Sequence, residues 1–187
     1  MGINMVYMFL ADGFEEIEAL CPLDLLRRAG VGIKTVSVGD GDFVTGSHGI
    51  SVKADMKESD FGDERPEMVI LPGGLPGADY LNEHEGLAKH IACFAKDEGK
   101  KLAAICAAPQ VFGTCGILDG KKATIYPSME ECLKGGQATG KNVTVDGNII
   151  TGMGPALAME FALKLVEEIK GKEAAEEVAA GLLFDRR

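Results

Sequence analysis

Short continuous apolar runs alternate along the chain with longer stretches in which apolar residues recur every three or four positions. The runs MVYMFL at 5–10, VGIKTVSV at 31–38, EMVILPGG at 67–74 and KLAAIC at 101–106 open with or span the length of a strand. Strands with little polar alternation are strands buried on both faces. Between them, EEIEALCPLDLLRRAG at 15–30 predicts a helix with Ile17, Leu20, Leu23 and Leu25 or Leu26 on one face. Two acids open it, two arginines close it and Gly30 stops it, as the helix dipole and C-cap preferences favour. Pro22 inside it predicts a local kink.

The stretch 43–55 reads as a hairpin-like excursion around Gly46 and Gly49. Residues 85–99 form an amphipathic helix with Leu87, Ile91 and Phe94 at helical spacing and Gly99 as its stop. Next come a short helix at 108–116, a strand at 121–127 (KKATIYP) and two β-rich runs joined by the Asp146–Gly147 turn. A long helix opened by Pro155 follows, and 172–184 is a second helical stretch. Apolar strands alternating with helices predict a parallel sheet covered by helices on both faces. No linker, repeat or low-complexity segment divides the chain, so residues 1–187 read as a single domain. In such sheets function gathers beyond the carboxyl ends of the strands, and Cys106 stands at one of those ends.

Charge narrows the partners. With 19 basic and 29 acidic residues the formal charge is −10, and no basic block runs against it, so direct nucleic-acid binding is not expected. The terminal Arg186 and Arg187 are too short a run to alter that. No apolar run reaches the roughly 20 residues of a membrane span. The start, MGINMVYMFLADG, lacks a basic opening and a small-residue cleavage site, and reads as a first strand rather than a signal peptide. The five cysteines show no C-x-x-C spacing, and an odd count without a leader fits reduced thiols in the cytoplasm. His48, His84 and His90 form no recognisable metal set, and no metal is expected.

Cys106 carries the chemical interest. A strand ending at Ile105 and a helix starting near Ala108 place it on a sharp strand-to-helix turn, like the nucleophile elbow of hydrolases. Ala103, Ala104, Ala107 and Ala108 let that turn pack tightly, and Pro109 suits a first helical turn. Cys93, Cys115 and Cys132, on helix-like stretches, read as ordinary buried thiols. A thiol of ordinary pKa, near ~8.5, is only about 3% ionised at pH 7. Lowering it to near ~5.5 takes about 4 kcal/mol, of which a helix N-terminus supplies at most about 2. A further donor is needed. LPGGLPGA at 71–78 offers backbone N–H groups that glycine brings close to a ligand or an oxyanion. Glu15 and Glu16 are first-turn acids favoured by the helix dipole, whereas Glu18 lies further in. Glu18 helps a thiolate only if it keeps a proton and donates it, as a desolvated carboxyl can, and the two groups then titrate together.

The segments LADGFEEIEALCPLDLLRRAG, ILPGGLPGA, AAICAAP, GPALAMEFAL and GKEAAEEV together resemble the ThiJ/PfpI superfamily, more narrowly the subgroup of the Parkinsonism-associated protein deglycase and bacterial YajL. The likeness runs nearly end to end. It implies a flavodoxin-like three-layer α/β fold, mostly parallel, and a homodimer in which the first helix takes part. It matches Cys106 to the reactive cysteine, Glu18 to the carboxyl that hydrogen-bonds it, and Gly74 and Ala107 to backbone N–H groups of an oxyanion pocket. It implies cofactor-free glyoxalase or deglycase chemistry on α-oxoaldehydes such as methylglyoxal or on their glycation adducts, with a role in oxidative stress. The alternative it carries is a non-catalytic redox sensor or chaperone using Cys106 oxidation. Two departures matter. Ala107 stands where the protease-like branch has histidine, which argues against a peptidase. Tyr126 stands where the deglycase has a histidine near the cysteine, so proton transfer falls to Glu18 or water. His48 reads as a surface-loop residue.

Overall fold

The computed structural model describes residues 5–61 and 66–184; residues 1–4 and the terminal arginine pair lie outside them. The first strand, β1 (Met5–Leu10), feeds α1 (Glu16–Arg28), then β2 (Gly32–Ser37). A small ribbon of β3 (Phe43–Thr45) and β4 (Ser51–Lys53) leads to β5 (Met56–Lys57) and β6 (Met68–Leu71). Then come α2 (Gly77–Glu83), α3 (Glu85–Phe94), β7 (Lys101–Ile105) and α4 (Pro109–Thr114). β8 (Lys122–Ala123), β9 (Gln137–Ala138), β10 (Val143–Asp146), β11 (Ile149–Gly152), α5 (Ala158–Lys170) and α6 (Lys172–Gly181) complete the chain.

Seven strands form one sheet in the order β10, β11, β7, β6, β1, β2, β5. Every pairing in it is parallel except the hairpin of β10 with β11. The parallel sheet covered on both faces that the apolar runs predict is thus present. Val6, Met8 and Leu10 of β1 join the core under α1, α5 and α6, and Tyr7 and Phe9 join the core under α3 and α4. All five are at most 1% exposed, which is why β1 shows no polar alternation. β1 sends the chain to β2 on one side and, later, to β6 on the other. The loops after β1 and β6 therefore face each other at the switch point, with the end of β7 beside them.

Three sequence expectations need correction. α1 buries Glu18, Ala19, Pro22, Leu25 and Leu26, whereas Ile17 is 56% exposed and Leu20 and Leu23 are only half-buried. The face set by packing on α5 and the sheet is rotated from the one read through Ile17, and helix runs on through Pro22. The strand expected over 121–127 shrinks to β8, because the N–H of Thr124 donates to Thr151 Oγ1 and that of Tyr126 to the carbonyl of Cys106. α3 ends at Phe94 rather than near Gly99, since Asp97 takes the N–H of Gly99 on its side chain and that of Lys100 on its carbonyl. Among the described residues no helix is long and apolar enough to cross a membrane.

Candidate active site

Cys106 follows β7 directly and has φ 63°, a left-handed conformation that L-residues avoid. Two bonds hold the backbone there: its N–H donates to the Gly152 carbonyl at 2.9 Å, and its carbonyl accepts the Tyr126 N–H at 2.9 Å. A strained non-glycine residue costs about 1–3 kcal/mol and persists only where its surroundings over-determine it. Here that conformation turns the chain into α4, whose first residue is Pro109. Only 9% of Cys106 is exposed. The turn that places it is the elbow its sequence setting predicts.

Glu18 reaches the same place from α1. It is fully buried, and its Oε2 accepts the Gly73 N–H at 2.9 Å. Oε1 has no well-formed hydrogen bond, and the polar side chain acting on this carboxyl is the Cys106 thiol. Gly73 is needed between them: a Cβ there would sit 2.6 Å from Glu18 Oε2 and 2.7 Å from the Cys106 Cβ. Gly74 has φ 91°, and a Cβ on it would collide with the Glu15 nitrogen. With both glycines in place, the backbone N–H groups of Gly74 and Ala107 favour the Cys106 thiolate against the effect of burial.

Burial pushes the Glu18 carboxyl up to about 7, helped by the nearby Glu15 and opposed by the Cys106 thiol and the Gly73 N–H. Burial also pushes the Cys106 thiol up, to about 12, and the ionised Glu18 carboxylate adds to this while the Ala107 and Gly74 N–H groups oppose it. The pair titrates as a unit: it holds two protons below about 7 and one proton between about 7 and 12. In that one-proton state, carboxylic acid beside thiolate and carboxylate beside thiol are tautomers of each other. The thiol has the higher pKa, so it keeps the proton at rest; contrary to the lowered thiol pKa that the sequence setting suggests, the thiolate is the minor tautomer, reached by passing that proton to Glu18.

Tyr126 adjoins this centre through its backbone, while its side chain is half-exposed beside Gly154. His48, expected on a surface loop, is exposed but not idle. Its Nδ1 lies 2.7 Å from Glu16 Oε2, and its backbone N–H donates to Glu16 Oε1 at 2.7 Å. Glu16 is 5% exposed. Burial alone would raise its carboxyl, but the His48 ring and the His48 and Ile50 N–H groups outweigh it and hold the carboxyl at about 2. The same contact raises His48. Glu16 is thus a clasp between α1 and the ribbon loop, not merely a first-turn acid. Glu15 caps α1 by accepting the Glu18 N–H at 2.8 Å. Glu15, Glu16 and His48 place potential metal-ligand atoms within 4.8 Å of one another, but the described contacts already use both oxygens of Glu16.

Sequence reasoning missed two further elements. α2 forms in the glycine- and proline-rich stretch read as a loop, burying Gly77, Ala78 and Leu81. Gln110 of α4 donates to Asp79 of α2 at 3.1 Å, tying together the first turns of the two helices that follow Ala107 and Gly74 in the chain. Cys93, read as a buried thiol, is exposed, and Cys115 and Cys132 are intermediate.

Residues 4–168 match the profile of the DJ-1/PfpI family. Over 177 residues the chain is 42% identical to protein DJ-1 homolog B of Arabidopsis thaliana, covering 94% of this chain and 40% of that protein, so it spans less than half of that relative's length. It is 34% identical over 170 residues to deglycase PH1704 of Pyrococcus horikoshii, covering 89% of this chain and 100% of the relative. The solved structure of oxidized Toxoplasma gondii DJ-1 superposes with a TM-score of 0.92 at 38% identity, covering 97% of this chain and 98% of that one.

Proposed function

The chain belongs to the DJ-1/PfpI family, and from that premise we propose a cysteine-dependent, cofactor-free enzyme acting on α-oxoaldehydes such as methylglyoxal or on their glycation adducts. One observation carries this reading: the Glu18 carboxyl and the N–H groups of Gly74 and Ala107 converge on a cysteine held at φ 63°. The likeness to a deglycase agrees with it. In the proposed reaction the Cys106 thiolate adds to the aldehyde carbon, and the new alkoxide is met by the Gly74 and Ala107 N–H groups and protonated from Glu18. The resulting hemithioacetal loses its carbon-bound proton to the Glu18 carboxylate, which returns a proton at the adjacent carbon. The product is a thioester of lactate. Water hydrolyses it and restores the thiol. Methylglyoxal plus water gives lactate, with one carbon oxidised as its neighbour is reduced, so no external redox partner is consumed.

Purified protein should form lactate from methylglyoxal without glutathione, and Cys106→Ser should fall to the buffer rate. Equal rates for the two proteins would remove the reading. A second reading, a redox sensor acting through Cys106 in oxidative stress, is favoured by the same N–H groups, which suit a sulfinate as well as an alkoxide. It gains ground if lactate never exceeds buffer while limited peroxide adds two oxygens to the Cys106 peptide. A peptidase lacks support, because Ala107 replaces the histidine such a site would use.

We further propose that the protein acts in the cytoplasm as a homodimer. No disulfide joins the described cysteines, and Ile17 and Ile50 leave large apolar side chains uncovered beside the α1 and ribbon clasp. Sedimentation at micromolar concentration should give about twice 19.7 kDa; a monomer would refute it.

A further inference from the structure

A cavity of about 320 Å³ opens beyond the carboxyl ends of β1 and β2, and neither Cys106 nor Glu18 lines it. Its volume is that of a small-molecule site. Leu10 and Val38 contribute apolar walls, while Asp12, Asp40, Phe43, Tyr80 and His84 supply its chemistry.

The electrostatics are one-sided. Two aspartates line the cavity and no lysine or arginine does. Asp12 accepts the Thr45 N–H on Oδ1 at 2.8 Å, leaving Oδ2 for another donor. Asp40 lies between two glycines at the end of β2, and no described basic side chain pairs with it. Lys57, on the neighbouring strand β5, is committed to Asp42 at 3.1 Å. His84 accepts the Leu87 N–H on Nδ1 at 3.1 Å, so that nitrogen is already engaged within the fold. Phe43 is 63% exposed and Tyr80 49%, so the cavity has uncovered aromatic surface beside uncompensated carboxylates.

That combination selects a ligand class. Aromatic faces attract cations, guanidinium above all, and a carboxylate accepts paired N–H donors from it. An anion would meet two carboxylates. A nucleotide is disfavoured for a second reason: in doubly wound sheets its phosphate sits on a glycine-rich turn at the N-terminus of the helix after β1. Here that helix is capped by Glu15 and begins with Glu16.

We propose that this cavity is a binding site for the guanidinium group of an arginine side chain, with Phe43 and Tyr80 as its aromatic walls and Asp40 and Asp12 as its counter-charges. Residues 12–15 join it to the reactive centre: Asp12 lines the cavity, Gly13 accepts the Gly77 N–H at 3.3 Å, and Glu15 donates to the Gly73 carbonyl at 2.9 Å. Binding needs no thiol, so the site stands independently of the activity of Cys106.

The test is titration of Cys106→Ser protein, labelled for amide NMR, with Nα-acetyl-arginine amide in low salt. The isosteric, uncharged Nα-acetyl-citrulline amide and AMP are parallel probes. The arginine probe should shift the amides of Gly39, Asp40, Gly41, Phe43 and Tyr80 saturably, and the citrulline probe should bind at least ~10-fold more weakly. Asp40→Asn should weaken the arginine probe by ~10-fold, and Tyr80→Ala by several-fold, with the remaining spectrum unchanged. Equal binding of the two side-chain probes, no saturable shift at these amides, unaltered binding by Asp40→Asn, or AMP outcompeting the arginine probe would each overturn the proposal.

Discussion

Glu18→Gln should lower lactate formation from methylglyoxal by roughly 10²–10⁴-fold, the usual worth of a positioned acid–base group. The substitution keeps the shape and can still accept the Gly73 N–H, but the amide has no proton to pass between adjacent carbons. KM should change far less than kcat, because the lost interaction belongs to proton transfer rather than to binding. The pH dependence makes the prediction sharper. In the native protein the one-proton state of the Glu18–Cys106 pair is the one that reacts, and it is populated as the first proton leaves at about 7. The native kcat/KM should therefore rise through about pH 7 and level off above it. In Glu18→Gln the limb set by that carboxyl should vanish. A variant that kept both the native rate and the limb near pH 7 would show that Glu18 carries no proton in the reaction.

Much of this arrangement was legible in the chain because it is local. An apolar run ending in Cys106, small residues on either side and Pro109 at the next helix start describe a strand, an elbow and a first turn within a few residues. Glu18 was legible by its depth in α1, although the helix face drawn through Ile17 was rotated from the buried one. Glu18, Pro22 and Leu25 lie four and three residues apart, and all are buried. A carboxylate in an apolar series looks like an error in the pattern until its partner is known. What stayed hidden depends on residues far apart in sequence. Nothing near Glu16 announces that His48, 32 residues on, will close over it. Nothing in KKATIYP shows that the Tyr126 N–H will be spent on the Cys106 carbonyl and end the strand. α2 was missed because Gly77 and Pro76 read as turn residues; a small glycine is what lets this helix pack against the Gly13–Phe14 backbone. The aromatic and acidic cavity joins β1, β2, the β3 strand and α2, again by packing rather than by spacing.

The substitution that removes activity should also strengthen the fold, and only above a defined pH. Glu18 is raised from 4.5 to about 7, so between those values the folded protein holds a proton that the unfolded chain has released. With respect to this group, stability is greatest below pH 4.5, declines as pH rises toward about 7, and is level beyond. The shift amounts to about 3 kcal/mol, at 1.36 kcal/mol per pH unit. Glutamine has no such charge to bury. Its other contacts add an offset that does not vary with pH, and the Glu16–His48 pair titrates equally in both proteins and cancels. Making the comparison on a Cys106→Ser background removes the thiol's titration as well. Between pH 5 and pH 8 about 2.5 kcal/mol of that contribution is lost, so the melting temperature of Glu18→Gln minus that of its parent should grow by about 5–10 °C, at roughly 2–4 °C per kcal/mol for a chain of this size. Melting curves whose separation stays constant across that range would mean that the Glu18 carboxyl is not held neutral by burial. The shared-proton account of Cys106 would then fail with it. A growing separation would show that the fold is destabilised at neutral pH by the same desolvated carboxyl that its chemistry uses, a trade of stability for a reactive group.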